Sequence, residues 1–436
     1  MRRIRSLWDD LRSSLWFIPT LILTGAVVLA VVLIDVDVLN DRRRLTERWP
    51  RLFGAGAEGS RGLLEAIAGS MITVAGVTFS ITIVTLALAS TQYTSRILRN
   101  LMRDRANQTV LGVFVGIFAY CLVVLRTIRG GDEGVFVPAL AVLVALLLAF
   151  VAVVFLIFFI HHIAASIQAT SIISAAAAET FQAIDRLYPA DEGQAPGEPG
   201  GDGPMGAPPV QQWRRIPARK SGYIQRLDTD ALFTLACEQE TVVRMERAIG
   251  DFVIEASPLA SVGGERADDT IIRTVNAACT VGSHRTVHQD AGYGIRQIVD
   301  IALKALSPGI NDTTTAINCI DYLGAILARL ATRSIERPFR SDGSRLRLIT
   351  RGPTFPGFLA EAFDQIRQNA EGNVAVLAHV LEVLKLIGAQ TTDGKRREAL
   401  SRQADLVAEM AQRSIPTVHD RATIQAMRDN LGDLPG

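Results

Sequence analysis

The chain lacks most of what builds a catalytic centre or a crosslinked scaffold. Four cysteines in 436 residues are too few and too scattered for a disulfide framework or a zinc knuckle. Cys121 falls in an apolar run, and Cys237, Cys279 and Cys319 form an odd set. Isolated buried thiols in a reducing compartment are therefore expected. The six histidines form no His-Glu-x-x-His arrangement, and no Gly-rich phosphate loop, nucleophile elbow or pair of catalytic carboxylates is recognisable. Neither an enzymatic activity nor a cofactor is expected. A net charge of +1 leaves no global field for nucleic acid, and no basic-aromatic run restores one.

Apolar residues, by contrast, make up 49% of the chain and are unevenly placed. Four long, charge-poor runs precede residue 165, whereas the pattern after 210 is that of a soluble domain. These runs predict a four-helix transmembrane domain over 1–165, with spans at about 15–34, 66–90, 108–128 and 135–160. Arg2, Arg3, Arg5 and Arg12 precede Trp16, and no small-residue cleavage site follows the first run. It reads as a retained span. Asp35 to Glu65 reads as a Gly-rich loop, and Gly112 and Gly116 give the third span a close-packing face. The basic N-terminus and the Arg96, Arg99, Arg103, Arg105 cluster place both termini on the cytoplasmic side of an inner membrane.

The second run, Ala66 to Arg99, carries two opposed stripes and so reads as the central helix of the bundle. Thr78, Thr82, Thr85, Ala89, Gln92 and Arg96 fall on one line, and Gly69, Thr73, Gly76, Ser80, Ala87, Thr91 and Thr94 on the other. Hydroxyls on a membrane helix serve close packing. The alternative is that Thr78, Thr82, Thr85, Gln92 and Arg96 border a narrow hydrated path between subunits of a homo-oligomer, with a basic mouth that favours anions. His161 and His162 end the fourth span as an interfacial pair or a proton-sensitive gate.

Beyond the spans, 166–188 reads as a helical stalk and 189–210, rich in Pro, Gly, Asp and Glu, as a flexible linker. A small β-module is expected over 211–265. Gly250 to Val262 resembles half of a barrel-sandwich hybrid, without the tip lysine that lipoyl and biotin carriers present. The remainder, 266–436, reads as a helical domain interrupted by a hairpin at Arg340 to Thr350. The fold class is thus a membrane all-α bundle plus a mainly α, α+β cytoplasmic domain.

The most distinctive soluble stretch is HRTVHQDAGYGIRQIVDIALKALSPGINDTTTAINCIDYLGAI, His284 to Ile326. Read as a helix from 284 to 306, it sets Arg285, Gln289, Arg296 and Asp300 on one stripe with Lys304 a turn beyond. Asn311 or Asp312 then caps the next helix at Thr313. Helix starts beside basic groups attract anions, so these residues form either a pocket for a small anionic ligand or an ion-pair network. His284 and His288, four apart, form either a metal-holding pair or a solvated face.

With FSITIVTLALASTQYTSRILRNLMRD at Phe79 to Asp104, this stretch resembles the bacterial family of predicted membrane proteins known as domain of unknown function 2254. The resemblance implies a polytopic membrane protein with a cytoplasmic domain and carries over no catalytic residues. Two functions stay open. One is an oligomeric channel or transport-like protein with a regulatory domain, and the other is a non-conducting anchor or sensor that presents a ligand- or partner-binding domain.

Overall fold

The computed structural model describes residues 16–39, 56–92, 104–129, 136–166, 168–189, 213–264, 268–335, 339–343 and 345–431. The chain divides into two compact units, Met1–Ser171 and Ile172–Gly436.

In the first unit four described helices are long and apolar enough to cross a bilayer. They are α1 (Phe17–Leu39), α2 (Ala57–Gln92), α3 (Arg105–Thr127) and α4 (Ala139–Ser166). The connection expected at Asp35 to Glu65 is shorter, because α1 runs through both aspartates and α2 already begins at Ala57. Asp37 explains the first extension. Its buried carboxylate accepts the amides of Leu140 at 3.1 and 3.2 Å and of Ala141 at 3.1 Å. A negative charge from α1 thereby caps the positive end of α4.

The centre of this bundle is α3, where the sequence pattern pointed to α2. Half of the apolar window of α3 is buried, against 28% for α2, 17% for α4 and 11% for α1. Phe114, Tyr120, Cys121 and Val124 of α3 are fully enclosed, and the Tyr120 hydroxyl donates to the Ala141 carbonyl at 2.8 Å. Its two glycines explain how α1 comes so close: a Cβ on Gly112 would stand 2.9 Å from Ile22 Cδ1 and from Pro19 Cα. Small residues at such a crossing let backbones approach where lipid supplies no hydrophobic drive.

The two stripes of α2 have different surroundings. Thr78 and Thr85 are buried and Thr82 is half-buried, its hydroxyl donating to the Thr78 carbonyl at 2.8 Å. This edge packs inside the subunit. The other edge faces outward and continues N-terminally beyond Gly69, while the Thr91 side chain and Thr94 lie outside the described residues. Gly62, Ala66, Gly69, Thr73, Gly76, Ser80 and Ala87 are all exposed, at alternating spacings of four and three interrupted only at Ile83. No described atom lies within 4 Å of a Cβ built on Gly62, Gly69 or Gly76. The Gln92 side chain and Arg96 lie outside the described residues. At the far end of the bundle His162 Nε2 lies 2.5 Å from Asp104 Oδ2, the carboxylate that also caps α3.

The second unit opens inside α5 (Ala169–Leu187), the helix expected as a stalk. It is packed, with Ile172, Ile173, Ala183 and Ile184 buried, and Asp185 pairs with Arg329 and Arg333 at 2.8 and 2.6 Å. The strands are β1 (Trp213–Pro217), β2 (Gly222–Leu227), β3 (Val243–Met245), β4 (Phe252–Val253), β5 (Pro258–Gly263), β6 (Cys279–Gly282), β7 (Phe339–Asp342) and β8 (Arg345–Ile349). They form a five-stranded sheet, β1-β5-β3-β8-β7, and a three-stranded sheet, β4-β2-β6. The β-module is therefore not closed within 211–265, since β6 and the β7–β8 hairpin join it from later in the chain and β8 pairs with β3 in parallel. Helices α6 (Thr229–Glu238) and α7 (Asp269–Ala278) pack on these sheets. A helical layer follows: α8 (Ala291–Ala305), α9 (Thr313–Ala331), α10 (Phe355–Asn369), α11 (Val374–Gly388), α12 (Gly394–Ser414) and α13 (Val418–Asp429).

Candidate functional site

The distinctive stretch folds differently from the helix expected over 284–306. Residues 283–290 form a loop, and α8 starts only at Ala291, where the Asp290 carboxylate accepts the Tyr293 amide at 3.0 Å. Asp290 is the stronger stop signal, because an aspartate three residues ahead of an accessible amide caps a helix more effectively than His or Arg extends one. His284 and His288 thus lie in a loop and share no helical face. Among the described residues no group of three or more His, Cys, Asp or Glu side chains gathers as a metal site would.

The polar residues of this stretch fall into separate groups along α8, whose 15 residues span roughly 22 Å. At its start Arg285 holds the Asp290 carboxylate through Nε at 2.9 Å and Nη2 at 2.8 Å. Gln289 accepts the Leu227 amide at 2.9 Å. Midway, Arg296 pairs with Asp300 at 2.8 Å, one turn on, and faces Glu361 of α10 at 3.8 Å. At the far end Lys304 is exposed and Asn311 takes a left-handed backbone (φ 50°). There the Asp312 carboxylate caps α9 through the Thr315 amide and hydroxyl at 3.0 and 2.6 Å. Thr313 accepts the Asn373 amide group at 3.0 Å. One pocket made of the whole set is excluded by this separation, and only Arg285 and Gln289 of it border the cavity described next.

That cavity has a volume of about 390 Å³. Three helices begin at its wall: α6 at Thr229, α8 at Ala291 and Gly292, and α10 behind the Thr354 cap. The first amides of each have no acceptor within their own helix, and the Asp228, Asp290 and Thr354 side chains each accept one of them. Arg285 and Arg351 supply positive charges, Asp290 and Glu361 negative ones, and Tyr188 and Phe358 form apolar wall. Gly250, next in the chain to the wall residue Ile249, has φ +89°, and a Cβ there would stand 3.0 Å from Arg285 Nε and collide with Asp290. Only glycine allows the β-module to approach the Arg285–Asp290 pair so closely.

The charges around the cavity do not cancel uniformly. Burial pushes the Asp290 carboxyl above its ordinary value, opposed by the charge and hydrogen bonds of Arg285 and by the Tyr293 amide. Arg285 and Asp290 thus satisfy one another. Arg351 is nearly two-thirds exposed and lies 3.9 Å from Glu246. Burial raises the Glu246 carboxyl, but the Ser261 hydroxyl at 2.6 Å and Arg244 at 2.7 Å outweigh it and hold it below the usual glutamate value. Glu246 is therefore already committed, and Arg351 is the wall cation with most charge to spare. Away from the cavity, burial pushes the Cys279 and Cys319 thiols up to about 12, which leaves them without nucleophilic character at neutral pH.

Sequence reasoning missed Arg351, Thr354 and Glu361. For Arg351 and Thr354 the signal was present as Thr-Arg-Gly-Pro-Thr-Phe-Pro-Gly at Thr350 to Gly357, a cap followed by proline at a helix start. Nothing in it announces that this start faces that of α8, more than sixty residues earlier.

The chain matches a family described as a predicted membrane protein, DUF2254, over residues 12–386. Uncharacterised proteins of Mycobacterium bovis and Mycobacterium tuberculosis are each 32% identical to it over 442 residues, covering 97% of this chain and 81% of theirs. No solved structure gives a significant match.

Proposed function

The chain belongs to the DUF2254 family of predicted membrane proteins, and from that premise we propose that it is a membrane-anchored sensor whose second unit lies in the cytoplasm and binds a small anion. One observation carries this reading: three helix starts and two arginines surround a single cavity. Backbone amides at helix ends bind phosphate, sulfate or carboxylate groups without a dedicated motif, which accounts for the lack of any phosphate-loop signature. The test is thermal unfolding of the full-length protein in detergent, titrated with inorganic phosphate, pyrophosphate and sulfate at matched ionic strength. A bound anion at a hundredfold excess over its dissociation constant stabilises by about 2.7 kcal/mol, and Arg351→Glu is expected to remove that gain. Equal melting in chloride and in all three anions refutes the reading.

The outward stripe of α2 favours a second feature, association of subunits. Glycine, alanine, serine and threonine at spacings of four and three are how membrane helices pack closely. Across such a seam Thr73 and Ser80 would supply side-chain hydroxyls, and any conduction would run between subunits and not through the filled core of one. The mass of the protein assembly in detergent is expected to fall when Gly69 and Gly76 are both replaced by Leu. Liposome flux measured on the same two preparations separates a conducting oligomer from an anchoring one.

A further inference from the structure

The second unit carries one rigid apolar projection that its own core does not use. In the turn from β4 to β5, Phe252 and Ile254 are 49% and 63% exposed, while Val253 between them is fully buried. The Tyr223 ring stands edge-on to Phe252 at 5.1 Å. The turn is held firmly. The Ser257 amide donates to the Ile254 carbonyl at 2.9 Å, and Ser257 Oγ accepts the Ile254 amide at 3.2 Å. Ala256 adopts a left-handed backbone, φ 65°, which costs a non-glycine residue strain and marks an over-determined site.

Basic residues adjoin this projection. Its Ala256 amide donates to the Ala218 carbonyl at 2.9 Å and its Glu255 amide to Ser221 Oγ at 2.9 Å. Arg219 and Lys220, both exposed, sit between those two anchors. Asn276 of α7 accepts the Arg219 amide at 3.1 Å, and exposed Arg273 lies one turn before it. The acidic groups of the tip are Glu255 and Asp251, and the Asp251 carboxylate accepts the Ala248 amide.

We propose that this tip docks the second unit onto an anionic bilayer surface, Phe252 and Ile254 entering the headgroup boundary while Arg219, Lys220 and Arg273 meet lipid phosphates. An apolar wedge flanked by cations is the composition that lies in a membrane interface, and each cation adds attraction to anionic lipid within a Debye length. Lipid is the favoured occupant because the same chain carries four bilayer-length helices, so the surface is present at high effective concentration.

The test uses the full-length chain with Cys237→Ser, which removes the one half-buried thiol, and Ile254→Cys carrying an environment-sensitive fluorophore. It is reconstituted in phosphatidylcholine alone or with phosphatidylglycerol. Emission is expected to rise and shift blue with phosphatidylglycerol. Arg219→Glu with Lys220→Glu should lower the docked-to-free ratio on the order of tenfold. In the unmodified chain, trypsin cleavage after Lys220 is expected to slow with phosphatidylglycerol, a readout independent of the label. Identical emission and cleavage in the two bilayers overturn the proposal, as does a blue shift that follows protein density instead of lipid charge, which would assign the tip to a second copy.

Discussion

Replacing Asp290 with Ala is expected to destabilise the second unit by about 2–4 kcal/mol, because one carboxylate does two tasks there. It caps α8, worth about 1 kcal/mol, and it balances Arg285 in a site where its own side chain is only 9% exposed. Removing it leaves Arg285 partly buried without its counter-charge, which costs about a further 1–3 kcal/mol. Asp290→Asn keeps the capping oxygen, so it should lose less stability than the alanine variant. Hydrogen exchange of the α8 amides separates the two losses, since uncapping opens the first turn and loss of the pair opens the cavity wall. The pH dependence has a definite sign. Burial raises the folded-state value of Asp290, so its contribution is complete below the unfolded value and declines as pH rises through the folded one. The stability advantage of the parent over Asp290→Asn should therefore shrink with rising pH across that interval and then level off. An advantage that grows across it would show that Arg285, and not burial, dominates the carboxylate.

The same residue shows what was legible beforehand. Asp290 stands two residues after His288 in the sequence, but its role as a helix stop was hidden by an apolar periodicity that runs back through Val287. Local signals did well where one element decides the outcome: the four long apolar runs, the Asp312 cap of α9, the Arg296–Asp300 turn and the Arg340 to Thr350 hairpin all lie within a few residues of what makes them. They failed where two distant elements decide. Asp37 reads as the end of a span until α4 brings its amides to it. The two-striped pattern of α2 is a correct description of that helix, yet burial depends on the neighbours, and the glycines of α3 made α3 the hub. The cavity was the least legible of all, since it is assembled from three helix starts separated by well over a hundred residues, each an ordinary cap by itself.

Gly294 allows the sharpest test of such long-range packing. It lies in the first turn of α8, and a Cβ there would stand 2.9 Å from Thr180 Cβ and 3.0 Å from Thr180 Cγ2 and would collide with the hydroxyl. Thr180 is fully buried in α5, whose Ile173 and Ile184 are likewise enclosed, so α5 has little room to move away. In an open helix, glycine to alanine would stabilise by up to about 1 kcal/mol through propensity alone. Here overpacking should reverse the sign, and Gly294→Ala is expected to cost about 1–3 kcal/mol. Thr180→Gly removes every atom in conflict, and the lost hydroxyl bond to the Ala176 carbonyl leaves that carbonyl with its helical partner. The double variant Gly294→Ala, Thr180→Gly should then be more stable than the sum of the single changes implies, by an interaction energy of about 0.5–3 kcal/mol. Denaturant unfolding of the four proteins in the cycle measures it directly. If Gly294→Ala alone stabilises, Thr180 of α5 does not press on the first turn of α8.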